Sequence, residues 1–316
     1  MANKNFNFDL YRLNIGADEN DETRSPVTTD AAIGQILAAM ATTDCDMPVT
    51  ARKSTSTWGF RQFETFILQE SARTDIVHRV LLVKALEEQD GNTLTDAGLS
   101  ASRSAIQPPL ATSVNLYFWM QRHLIAVEHN ATLLSGTAWR RAVRLISKQA
   151  AKKHGYNAFL VLEPVAEEGT LATLLATFSR VTRIKAKVRI PNPELTRFTK
   201  ALYEQLRESR IHEYRQDMQN RHQGLNLEEG TLARATVGLA EEGYKDGDVT
   251  IVGVRKTQIE TVVFGHTAAR GAVRITKEEM RLLKPNDDPL QVQSMIGSLL
   301  REINRIKPPD NQVHTE

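Results

Sequence analysis

One ten-residue stretch constrains the fold of this chain more tightly than any other: Thr182–Pro191, TRIKAKVRIP. Arg183, Lys185, Lys187 and Arg189 take one parity, and Ile184, Ala186, Val188 and Ile190 take the other. Side chains alternate faces along a β-strand, so a strand here carries four cations on one face and four apolar groups on the other. A helix would scatter both sets. Pro191 lacks an amide donor and ends the ladder. Cations two residues apart on a strand lie roughly 6.6–7 Å from one another. The stretch contains no carboxylate to neutralise them. Two readings follow. One is a solvated outer sheet face balanced by carboxylates from neighbouring strands. The other is a surface for a polyanion, of which nucleic acid is the commonest.

Charge elsewhere favours the second. Between Ser135 and Ile190 eleven Lys/Arg stand against Glu163, Glu167 and Glu168, a net of +8; the whole chain is only +2, so the remainder is −6. Much of the excess lies on a segment with helical spacing, Thr137 to Gly155. Trp139, Val143, Ile146 and Ala150 make its apolar face, and Arg140, Arg144, Lys148 and Lys152 recur at i, i+4, i+8 and i+12. Like charges at that spacing cost a few tenths of a kcal/mol per pair. A merely solvated helix usually interleaves acids, and this one has none between Arg140 and Lys153.

The 316 residues suffice for one large or two ordinary domains, with 41% hydrophobic and 25% charged residues. There is no run of 18 apolar residues and no apolar signal core near the N-terminus, so a cytoplasmic protein with no membrane insertion of its own is expected. The single cysteine, Cys45, excludes an internal disulfide and a Cys-rich zinc site.

Along the chain, Asn5–Gly16 reads as a strand and Thr28–Thr43 as a helix capped by Thr28 or Thr29. Ser54–Ser71 and Thr74–Glu88 read as mostly extended, and Gly91–Pro109 as a turn-rich connector. Asn115–Met120 and His123–His129 form a predicted hairpin. Asn157–Val165 is a buried strand and Gly169–Phe178 a short helix. Asn192-Pro193-Glu194 starts a helix that continues past Arg207 as a highly polar segment. Leu227–Glu242 is partly helical, Asp248–Arg255 and Gln258–Gly265 are paired strands, Thr276–Leu283 is a helical turn, and Leu290–Ile306 is a last amphipathic helix. The predicted class is α+β: a mixed or antiparallel sheet lobe with helices over 1–191, a smaller helix-plus-β-hairpin lobe over 192–307, and a disordered tail over 308–316.

Catalytic motifs are scarce. P-loop, GxGxxG, GxSxG and HExxH patterns are absent, the eight histidines show no metal spacing, and no cofactor or metal is expected. Glu128-His129 ends a strand and reads as structural. Asp246 and Asp248 precede VTIVGVRK without the Glu-x-Lys that a restriction-type nuclease needs. Arg207 with His212, and Arg215 with His222, approximate the Arg–His pair that metal-free HEPN-type RNases carry on a helix, but chance accounts for such spacing in a stretch this rich in both residues. Trp119, Trp139, Tyr156 and Phe178 sit at core-like positions, so no base-stacking platform is indicated.

The order of elements resembles the RexA-like phage-exclusion proteins and related defence-island families, including the B subunit of the Kiwa system. An apolar strand (Ala158–Val165), a short helix, the basic strand ending in Pro191, a helix and a late strand pair carry the resemblance, over roughly 155–306. It implies a cytoplasmic, dimeric, non-sequence-specific DNA-binding protein of antiphage defence, coupled to a second defence-system protein. Of the candidate residues it covers only Arg183, Lys185, Lys187 and Arg189; Arg140, Arg144, Lys148 and Lys152 rest on spacing alone. The expected function is thus phosphate gripping on double-stranded DNA by strand and helix together, with a salt slope of roughly −5 to −7 if six to eight phosphates are met, and with the C-terminal lobe or its last helix making a homodimer. The alternatives are a nuclease or RNase toxin, and an interaction subunit for an acidic protein partner.

Overall fold

The computed structural model describes residues 4–17, 29–51, 53–70, 73–96, 98–167, 169–189, 205, 208–209, 211, 213–228, 230–265, 267–275 and 289–308. The chain is α+β; the described residues form twelve strands in antiparallel sheets and five α-helices. It divides into two compact units, each discontinuous in sequence. One comprises Met1–Asn14, Gln121–Ala126 and Leu162–Glu316; the other comprises Ile15–Met120 and Val127–Val161. A division near Pro191 is therefore not observed. The strand that precedes it is held in one sheet with strands up to Phe264, so sheet pairing overrides sequence proximity.

In the second unit, β2 (Met47–Ala51), β3 (Ser54–Glu70), β4 (Arg73–Thr95) and β5 (Gly98–Trp119) lie side by side in chain order. Gly91–Pro109 is not a connector. Its first residues finish β4 and the rest lie in β5, with Gly91 opposite Ser102 and Thr95 opposite Gly98. Cross-strand pairing gives backbone partners to part of a Gly/Ser/Thr-rich segment that sequence propensity reads as loop. Beside these strands pack α1 (Asp30–Met40), capped by the Thr29 hydroxyl, and α2 (Ala138–Lys153). Ala32, Ile33, Ile36, Leu37 and Met40 of α1 are buried, as are Trp139, Val143, Ile146 and Ala150 of α2. The Ser147 hydroxyl, buried on α2, accepts the Leu160 amide.

The first unit begins with β1 (Lys4–Gly16) and includes parts of β6 (Leu124–Glu128) and β7 (Phe159–Pro164). Beyond α3 (Thr170–Ala176) come β8 (Arg180–Arg189), β9 (Glu213–Gln219), α4 (Leu232–Glu241), β10 (Val249–Arg255), β11 (Gln258–Phe264), β12 (Arg270–Ile275) and α5 (Pro289–Ile306). β12 pairs antiparallel with β1. α5 packs on β12 and buries Met295, Ile296, Leu299 and Ile303. The other four strands form a sheet in the order β11-β10-β8-β9. Ile184, Ala186, Val188, Val249 and Ile251 point from it into a core closed by Leu171, Leu175, Val237 and Leu239 of α3 and α4. Each fully buried Val, Leu or Ile among them stabilises the unit by about 1.5–3 kcal/mol.

The polar segment after Arg207 is not helical throughout. Glu213–Gln219 is β9, because Met218, Gln216 and Tyr214 oppose Ile184, Ala186 and Val188 across the ladder and cover that core face. The expected helix start at 192–194, the helical turn at 276–283 and the residues after 308 lie outside the described residues.

Candidate nucleic-acid interface

β8 alternates as its sequence predicts. Val181, Ile184, Ala186 and Val188 are buried on the core side, and Arg183, Lys185 and Lys187 stand on the other. The absence of neutralising carboxylates does not carry over to three dimensions. Asp217 lies directly across the ladder from Lys185 and receives both arms of Arg183, Nε to Oδ1 at 2.6 Å and Nη2 to Oδ2 at 2.5 Å. Such a fork-to-fork pair is charge-assisted and geometrically specific. Hydrogen bonding from Arg183 holds the Asp217 carboxyl below its ordinary range, and the charges of Arg183 and Lys185 add to the effect. Asp246, in the turn before β10, accepts from Lys187 Nζ at 2.5 Å and from Arg189 Nη2 at 2.9 Å. Arg189 is itself buried. Three of the four strand cations thus hold carboxylates from later parts of the chain, and Lys185 is the exposed one. The outer-face reading, with carboxylates from neighbouring strands, describes most of β8.

α2 is different. At 3.6 residues per turn, Arg140, Arg144, Lys148, Arg141 and Lys152 fall within ~120° of arc, opposite the buried Trp139 and Ala150. Arg141, Arg144 and Lys152 are exposed; Arg140 and Lys148 are half-buried. Arg144 lays its guanidinium 4.1 Å from the centre of the Phe159 ring, which orients the charge without neutralising it. Lys153, outside the arc, pairs with Asp44 at 3.3 Å, and Gln149 donates to the Asp44 carbonyl. The helix itself contains no carboxylate. α2 and β8 belong to different compact units, so each cationic element is a surface in its own right.

The remaining candidates resolve into structure. Glu128 accepts from the backbone and side-chain amides of Asn115. Arg215 is on a strand and His222 in a turn, so that pair lacks the shared helix; Arg207 and His212 lie outside the described residues. Asp246 is occupied with Lys187 and Arg189. Trp119, Trp139 and Phe178 are buried, and Tyr156 donates its hydroxyl to Gln35. No cluster of three or more His, Cys, Asp or Glu able to hold a metal occurs among the described residues. None of their helices is long and apolar enough to cross a membrane.

What the sequence reading missed is the pairing of two acids, Asp217 and Asp246, with the strand cations. A signal existed for the first. Tyr214, Gln216 and Met218 alternate with Arg215, Asp217 and Gln219, a strand pattern obscured by the high local charge.

Residues 104–263, just over half of the 316, match the model of a family described as a domain of unknown function, DUF4747. No curated protein matches the chain. The matched span contains both α2 and β8.

Proposed function

The chain belongs to the DUF4747 family, and we propose that it binds nucleic acid through the phosphate backbone, without reading sequence, with α2 as the principal contact surface. The observation that carries this reading is the arc of five cations on a helix with no carboxylate of its own. A duplex presents a phosphate charge every ~1.7 Å of axis, and a row of Lys and Arg on one helix face meets several of them while releasing counterions. With no aromatic platform and no base-reading motif, contacts are to phosphate and sugar, which position but do not specify. β8 enters in a reduced role. Lys185 remains exposed beside Asp217, while Arg183, Lys187 and Arg189 spend their charge within the protein. The place of this activity in phage exclusion, with a second defence protein as partner, rests on the resemblance of Thr182–Pro191 and is proposed with it.

The test is fluorescence anisotropy with a random double-stranded DNA across a salt series. Four to five phosphate contacts give a log–log slope of about −4, shallower than the value expected when strand and helix both contribute in full. Absence of binding at low salt, or binding indifferent to salt, overturns the reading.

A further inference from the structure

The four-stranded sheet has two edges with opposite chemistry. β9 ends the sheet on one side with exposed Arg215, Asp217 and Gln219, the charged kind of edge that discourages pairing with another chain. β11 ends it on the other side, and among the described residues no strand pairs with its outer edge. Its only charged residue, Glu260, is engaged by Arg255 at 3.3 Å. Along it Ile259, Thr261 and Val263 are exposed, Ile259 at 76% and Val263 at 47%, while Val262 and Phe264 pack against the core. Ile259 is the most exposed large apolar side chain among the described residues.

The ladder with β10 fixes which backbone groups face outward. Arg255 and Gln258 close a two-residue turn as a hydrogen-bonded pair. Pairing alternates from there, so Gln258, Glu260, Val262 and Phe264 spend their amides and carbonyls on β10. Those of Ile259, Thr261 and Val263 point away from the sheet. We propose that β11 pairs antiparallel with β11 of a second copy of this chain, about a two-fold axis at Thr261, to make one continuous eight-stranded sheet.

Three features select a second copy and this register. Centring on Thr261 brings together the outward backbone groups of Ile259 with those of Val263 in the other copy, and of Thr261 with its equivalent, so every outward donor meets an acceptor. The same register sets Ile259 against Val263 twice over, a β-branched pair on the exposed face, with no like charges opposed. Centring on Glu260 instead would set two carboxylates opposite each other. Lastly, a cavity of about 340 Å³, lined by Val263, Phe264, Gly265, Ala166 and Thr170, lies beside the C-terminal end of β11. In the proposed register the protruding Ile259 of the second copy stands over Val263 at that cavity. An isologous contact of this kind closes at two subunits.

The experiment uses the full chain, freed of nucleic acid by nuclease and high salt, in sedimentation velocity at micromolar concentrations. A dimer is expected, and Ile259→Lys, at a site too exposed to matter for folding, raises its dissociation constant about thirtyfold or more, as for an interface hot spot. Thr261→Cys forms an intermolecular disulfide under mild oxidation, whereas Gln219→Cys on β9 does not; the native Cys45 is buried and gives no background. A chain that stays monomeric at tens of micromolar overturns the proposal. So does a dimer that Ile259→Lys leaves unchanged and Thr261→Cys fails to cross-link.

Discussion

β8 and α2 each present a row of Lys and Arg, and the two rows come to different ends. Three of the four cations on the strand pair with two carboxylates, Asp217 and Asp246, which lie 28 and 57 residues beyond Arg189 in sequence. On the helix, Arg144 lies over the Phe159 ring, Arg141 and Lys152 are exposed, Arg140 and Lys148 are half-buried, and the element carries no acid of its own. The difference is geometric. A helix displays its outer arc to whatever approaches, and its neighbours there are its own residues three and four away. A strand's outer residues are flanked on both sides by other strands, and those arrive from anywhere in the chain. A local charge count is therefore informative for a helix and nearly blind for an interior strand.

The comparison breaks most visibly at Asp246. Its carboxylate serves both Lys187 and Arg189, and Arg189 has only 9% of its side chain exposed. Replacing Asp246 with Ala removes that shared counter-charge and costs about 2–3 kcal/mol, less than a fully buried pair because Lys187 and Asp246 retain some solvent contact. Urea unfolding of the full chain measures it. A loss below about 0.5 kcal/mol would mean that the pairing is weak and that the strand is as available to a polyanion as the helix.

Next in size is the contrast in binding itself. Reversing Arg141, Arg144 and Lys152 to Glu on α2 is expected to weaken affinity for a random duplex by about 100-fold near physiological salt, and to flatten the salt slope by about 3. Lys185→Glu on β8 changes affinity by less than about threefold, since Asp217 already offsets its field. Anisotropy titration of both variants at matched salt decides. Equal losses would restore the strand to an equal role.

Sequence alone revealed most of this architecture wherever one face of an element is buried. β1, α1, α2, β8, β10, β11 and α5 follow from apolar spacing, because burial imposes a period of two or 3.6 on whichever residues form the face, while β7 and α3 follow from short apolar runs. The pattern failed where burial does not act. The distal parts of β4 and β5 are exposed on both faces, so Gly91–Pro109 carries no period and reads as loop. β9 shows its alternation only through Tyr214, Gln216 and Met218 amid charged residues. The two units escaped for another reason: each gathers separate segments, and no composition shift marks where the chain crosses between them. The rows of cations were legible except for Arg141, which stands outside the i, i+4 row on α2, and their partners were not. Periodicity reports which way a side chain points, and nothing in it reports what stands opposite.

The smallest effect is the most direct test of what stands opposite Lys185. Asp217 is exposed, yet its carboxyl titrates below the ordinary aspartate range because Arg183 hydrogen-bonds its charged form. The folded state therefore binds the proton less tightly than the unfolded chain does. Any stability from the pair is fully present above the unfolded value and is lost as pH falls through the lower folded one. At neutral pH the carboxyl is ionised and the pair is intact, and it opens only as acid reaches below the usual carboxylate range. Carboxyl chemical shifts followed by NMR should place the Asp217 titration below that of solvent-exposed aspartates, and Arg183→Gln should return it to the ordinary range. A wild-type Asp217 that titrates like any exposed aspartate would mean that Arg183 does not hold it in solution. β8 would then show solvent a cation where the structure shows a pair, and the distinction between strand and helix would lose its clearest support.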